Sequence, residues 1–186
     1  LGGRRPAATP AALLAGSPVY FAGMNRLFST IVTLTWGLWL GSLAGVTLAV
    51  IAVAKTFPPG SDARFAQTAP PIFALYERVQ LGLAALTLIV TFLWRLQKGA
   101  AGLKNVLFGL FALGTVAAVV EATYVAPRIN HLRSEDKMKS AEFDQAHKLS
   151  ERLYGGTMVL LLAGGVVLVS AIARDAHHRG RLDANR

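Results

Sequence analysis

The chain is organised by four long apolar runs, near residues 27–54, 72–94, 106–126 and 154–173. Each is about twenty residues or more and nearly free of charge. A helix rises ~1.5 Å per residue, so such a run crosses a hydrocarbon core of ~30 Å. The runs are continuously apolar and lack the two-residue alternation of a transmembrane barrel strand. Lipid cannot hydrogen-bond an open backbone, so helices are the remaining solution. The pattern predicts an all-α protein, a four-helix transmembrane bundle with a polar helical extension preceding the fourth helix.

Breakers and charges mark the segments between the runs. Pro58-Pro59-Gly60 and Pro70-Pro71 bracket the first loop, since proline removes a donor and stops helices. Arg95, Lys98 and Lys104 surround a short glycine turn, which predicts that helices 2 and 3 are antiparallel neighbours. Pro127 reads as the end of helix 3. The segment 128–153 is polar. Ser140 suits an N-cap, with Glu142 and Asp144 in the first turn behind it. Asp144/Lys148 and His147/Glu151 fall at i,i+4 spacing. This predicts a helix running from about 141 straight into the fourth span, with a soft point at Gly155-Gly156. Phe143, Leu149 and Arg152 mark the part of that helix offered to a partner.

Small residues recur at four-residue spacing on two of the spans. Helix 1 carries Gly37, Gly41 and Gly45, with Ala49 in step; helix 3 carries Gly114, Ala118, Ala122 and Ala126. Such ladders let backbones approach closely in a membrane. The first expectation is packing within the chain, helix 1 against helix 3. The other is an interface with a second subunit.

Composition agrees with a membrane solvent. Of 186 residues, 53% are hydrophobic and 16% charged, against ~25% charged in soluble domains. There is no Cys, which excludes disulfides and thiolate metal sites. The net charge of +9 suits anionic headgroups beside the spans. No basic run carries the aromatic interleaving of a nucleic-acid reader, so none is expected as partner. Residues 1–26 read as a docking arm, 27–173 as the membrane domain and 174–186 as a basic tail. The arm's Arg4 and Arg5 imitate a signal peptide, and Met24 could serve as an internal start. Ten of the 19 Lys and Arg fall on the side of both termini and loop 2. That split is about even; loop 2 is the densest short loop, and on that ground both termini are expected in the cytoplasm.

Chemistry has few footholds. Glu121 lies in the last turns of helix 3, where a carboxylate is costly and must find a partner. Arg128 shares its expected face, and Glu77 and Arg78 start helix 2 on the same side. His131 and His147 join them there. These six residues read first as a structural polar cluster. A proton or ion relay, or a metal site on the two histidines, is the sharper reading. All four His lie outside the apolar runs, so haem held between the spans is not expected. No nucleophile–base–orienter set appears, so no catalytic activity is expected, and no cofactor is predicted apart from bound lipid.

Three segments carry a resemblance. They are Trp36-Gly37-Leu38-Trp39-Leu40-Gly41, then Tyr124-Val125-Ala126-Pro127-Arg128-Ile129-Asn130 leading to Leu132-Arg133, and Phe143 to Leu153. Together they resemble the bacterial transmembrane-205-like family (domain of unknown function 4149) over roughly 25–172. The resemblance implies a four-span protein of a bacterial inner membrane with no established reaction. It flags Pro127, Arg133, His147 and Ser150 without assigning roles. The expected function is a non-catalytic accessory subunit of a larger membrane complex, respiratory or photosynthetic in type, with other membrane subunits and lipids as partners. The alternative is a small transporter or metal-handling protein using the polar cluster.

Overall fold

The computed structural model describes residues 18–56, 62–97 and 99–184. Most of the expected docking arm, the Pro58-Pro59-Gly60 turn and Lys98 lie outside them. The described chain is helical: α1 Pro18–Thr56, α2 Asp62–Arg95, α3 Ala101–Val120, α4 Ala126–Ser134 and α5 Ala141–Ala184. A single π-helical turn, Glu121–Val125, joins α3 to α4 without a break. Four stretches are long and apolar enough to cross a membrane, one in each of α1, α2, the α3–α4 rod and α5.

The helices run up and down in a ring. α1 packs against α2 and α5, and α3 packs against the same two, so α1 and α3 stand diagonally. Buried positions recur at three- and four-residue steps, as in Val32, Thr35, Trp39, Leu43 and Val46 of α1 or Leu107, Phe111, Gly114 and Ala118 of α3. That spacing keeps one stripe of each helix on its neighbours. Leu34, Leu38, Leu75, Leu86, Ile89, Leu113, Val159 and Val166 point outward and exposed. So broad an apolar exterior suits lipid as solvent, not water. The protein is an integral membrane protein by its architecture.

The glycine ladders do not pack as expected. Gly37, Gly41 and Gly45 are exposed, and a Cβ on any of them would meet nothing within 4 Å. The reason is topological: the diagonal partner, α3, is reached by Trp39, not by the glycine face. The close approaches occur elsewhere. A Cβ at Gly114 would lie 3.3 Å from the Trp39 ring. Gly164 lies under Phe111 and Gly165 under Trp36, both closer than a side chain allows. Trp36 Nε1 donates to the Leu161 carbonyl at 2.8 Å, which holds its ring over that glycine. Ala118 is buried and Ala122 half-buried, so the helix 3 ladder does face the core.

Three prolines also behave differently from expectation. Pro70 and Pro71 sit inside α2, which starts at Asp62. Pro127 does not end helix 3; the rod continues to Ser134. A proline at 127 leaves the Thr123 carbonyl without its i+4 donor, and the π-turn immediately before it absorbs that mismatch. The extension before the fourth span is therefore a hairpin of two helices, α4 and the first half of α5. α4 stops in a Schellman turn. Lys137 N–H donates to Leu132 O at 2.9 Å and Asp136 N–H to Arg133 O at 3.1 Å. Asp136 takes the left-handed φ of 57° that this turn requires. Ser140 Oγ then caps α5, accepting from Phe143 N–H at 3.1 Å. α5 runs through Gly155-Gly156 without interruption and on through most of the expected tail.

Candidate functional site

A polar cleft of about 80 Å³ opens where the projecting hairpin leaves the bundle. Glu77 of α2, Glu121 of the π-turn, Asn130 and Arg133 of α4, and His147, Ser150 and Tyr154 of α5 line it. Glu121 is the deepest of these, only 3% exposed. Ser150 Oγ donates to Glu121 Oε1 at 2.7 Å. Among the described residues Glu121 Oε2, Arg133 Nε and the hydroxyls of Tyr76 and Tyr154 have no hydrogen-bond partner. Tyr154 packs against both Phe73 and Tyr76, with ring centroids 6.1 and 5.8 Å apart. The cleft thus combines two carboxylates, a guanidinium and an imidazole with buried, under-satisfied oxygens, a setting that holds water or a polar guest.

The π-turn decides which arginine lines the cleft with Glu121. In a regular helix Glu121 shares its face with residues 125, 128 and 132. One inserted residue shifts the sequence, so 126, 129 and 133 take those places. Ala126, Ile129 and Arg133 do line the cleft. Arg128 is turned outside instead. It pairs with Glu142 across the hairpin and donates to the Tyr124 hydroxyl at 3.4 Å. Of the six expected cluster residues, Glu77, Glu121 and His147 come together. Arg78 is exposed and Arg128 faces away. His131 is 69% exposed and lies 3.5 Å from Glu135. His147 is 57% exposed at the rim, stacked on Phe143 and 3.5 Å from Glu151. Leu149 and Arg152 are exposed, and Leu149 lines a second groove with Arg128 and Glu142. No three His, Asp or Glu among the described residues stand close enough to hold a metal ion. At the hairpin tip, Lys137 donates to Glu135 at 2.7 Å. That bond, with the charges of His131 and Lys137, holds the Glu135 carboxyl below its usual range.

A second polar cluster, which the linear pattern did not single out, closes the other end. Lys104 is fully buried and its Nζ lies 2.9 Å from Asp175 Oδ2. Asn25 Nδ2 donates to the same oxygen at 2.9 Å, and the Ala100 N–H to Asp175 Oδ1 at 2.8 Å. Asn25 Oδ1 accepts from Trp94 Nε1 at 2.6 Å. Lys104 also sits 4.9 Å over the Trp94 ring. Gly99, at φ +132°, brings the α2–α3 turn onto this carboxylate, where a Cβ would collide with it. One knot therefore joins α1, α2, α3 with the turn before it, and α5. In sequence, Lys104 looked like a loop cation and Asp175 like part of a basic tail. Only the charge of opposite sign 71 positions away could have hinted at the pair.

A family model described as Domain of unknown function (DUF4149) matches residues 34–138, more than half of the chain. The chain belongs to this family. The match takes in Gly37–Gly45, Glu77, Lys104, Glu121 and Arg133. His147, Ser150 and Asp175, together with the segment from Phe143 to Leu153, lie beyond it. Each polar cluster is thus built partly from the matched DUF4149 region and partly from α5. Comparison with curated proteins and with solved structures gave no match.

Proposed function

We propose that this DUF4149 protein is a non-catalytic subunit of a larger membrane assembly, docked laterally through the outer face of α1. The observation that carries the reading is the exposed ladder of Gly37, Gly41 and Gly45, which the fold itself leaves unused. In lipid, helix association rests on van der Waals contact, and a glycine stripe is where a second helix approaches most closely. The partner is an apolar transmembrane helix of another subunit, in an assembly of respiratory or photosynthetic type. Lipid fills the remaining circumference. The membrane is the bacterial cytoplasmic membrane, and both termini face the cytoplasm.

The test uses the absence of Cys. Gly41→Cys gives a unique thiol for cross-linking in native membranes, and native mass measurement follows gentle extraction. A defined cross-linked partner, lost in Gly41→Leu while helicity is retained, supports the reading. A wild-type protein that remains a folded, solitary monomer overturns it.

A second reading, a small transporter, has its own support. The cleft places Glu77, Glu121, Arg133 and His147 at one membrane face, with Glu121 reaching below it. The donor set suits protons and water better than a metal ion, because the carboxylates and imidazole share the cleft without standing close enough together, among the described residues, to hold one.

A further inference from the structure

We propose that a buried polar stripe on α2 is a hydrated proton path joining the two clusters across the bundle. The inference deepens the transporter reading and rests on it. α2 presents Tyr76, Gln80, Ala84, Thr87, Thr91 and Trp94 to the interior, all buried. Tyr76 Oη, Gln80 Oε1, Thr87 Oγ1 and Thr91 Oγ1 have no hydrogen-bond partner among the described residues. Helical hydroxyls ordinarily bond back to the carbonyl one turn earlier. Thr33, Thr47, Thr115 and Thr123 all do so here, at 2.7 to 2.9 Å. Thr87 and Thr91, both fully buried, do not. Leaving such groups dry forfeits their hydration with nothing in return. Water satisfies them without that loss.

The stripe has the right length and the right ends. From Tyr76 to Trp94 it rises ~27 Å, close to the ~30 Å hydrocarbon thickness. One end meets Glu121, Ser150 and Tyr154 in the cleft. The other meets Asn25, which accepts from Trp94 beside the Lys104–Asp175 pair. The gap at Ala84 is covered from α1. The Asn25–Trp94 bond sets the antiparallel register of α1 and α2, so ten residues further along each helix Thr35 stands level with Ala84. Thr35 is buried. Across the diagonal Tyr76 meets Tyr154 of α5, and Thr157, about one turn further along α5, is buried as well.

A proton enters on the Glu121 carboxylate and passes along waters hydrogen-bonded to Tyr76, Gln80, Thr87 and Thr91. It leaves beside Asp175 at the α2–α3 turn. Each hop breaks one O–H bond and forms another, and the electrochemical gradient drives it. Lys104 and Asp175 balance each other, so the exit carries no net charge that would repel the proton.

The full chain is reconstituted in phosphatidylethanolamine–phosphatidylglycerol vesicles containing pyranine, and a valinomycin potassium potential drives protons inward. Wild type is expected to acidify the lumen faster than protein-free vesicles. Thr87→Val with Thr91→Val, close in volume and therefore expected to fold, returns the rate to that of protein-free vesicles. Thr87→Ser with Thr91→Ser restores it. If the Val and wild-type proteins conduct alike while Glu121→Gln does not, the path falls and the cleft's role stands. Ser variants as inactive as the Val variants also overturn the path. No flux in wild type overturns both.

Discussion

Removing one charge of the buried Lys104–Asp175 pair leaves the other without compensation in the bundle. Asp175 is 3% exposed and Lys104 fully buried, so water cannot screen the survivor. Breaking such a pair from one side costs about 3–5 kcal/mol, whereas replacing both members is often neutral. Asp175→Asn keeps the shape and can still accept from the Ala100 N–H, yet strands the Lys104 ammonium. Lys104→Met keeps the stem that packs on Trp94, yet strands the carboxylate. Each is expected to lose about 3–5 kcal/mol. The double variant leaves the Asn25–Trp94 bond in place and is expected to lose only about 1–2 kcal/mol. The assay is equilibrium unfolding in mixed micelles, read by the far-ultraviolet helix signal, for wild type and all three variants. The diagnostic result is a double variant more stable than either single one. If the losses simply add, or if Asp175→Asn costs under about 1 kcal/mol as surface pairs do, the pair is not desolvated and the reasoning fails.

Two further outcomes follow from the same packing. Gly165→Ala forces a Cβ into the Trp36 ring, which its bond to the Leu161 carbonyl holds in place. It should cost about 1–2 kcal/mol by overpacking, while Gly41→Ala, in open space, should gain about 0.5–1 kcal/mol of helix stability; a thermal shift of equal sign for both would contradict the assignment. Asp136→Gly relieves the left-handed conformation that closes α4. It should raise stability by about 0.5–1 kcal/mol, visible as slower amide exchange in the hairpin, and unchanged or faster exchange would argue against a Schellman turn there.

The sequence by itself determined the solvent and the class. Four uninterrupted apolar runs leave only helices in lipid, and that follows from backbone hydrogen bonding without reference to any neighbour. The cap at Ser140 and the pairs Asp144–Lys148 and His147–Glu151 were equally legible, because such contacts span only three or four residues. Half of the expected polar cluster was legible too: Glu121 announces itself as a carboxylate in an apolar run. What the tertiary structure decided was how each helix is rotated and which helices are diagonal. The π-turn before Pro127 exchanged Arg128 for Arg133, a rotation that periodicity cannot contain when it assumes a regular helix. The ring order left Gly37, Gly41 and Gly45 outside and placed Gly164 and Gly165 under aromatic rings. The Lys104–Asp175 knot joins residues far apart in the chain, and a burial shared between distant helices exists only once the chain has folded.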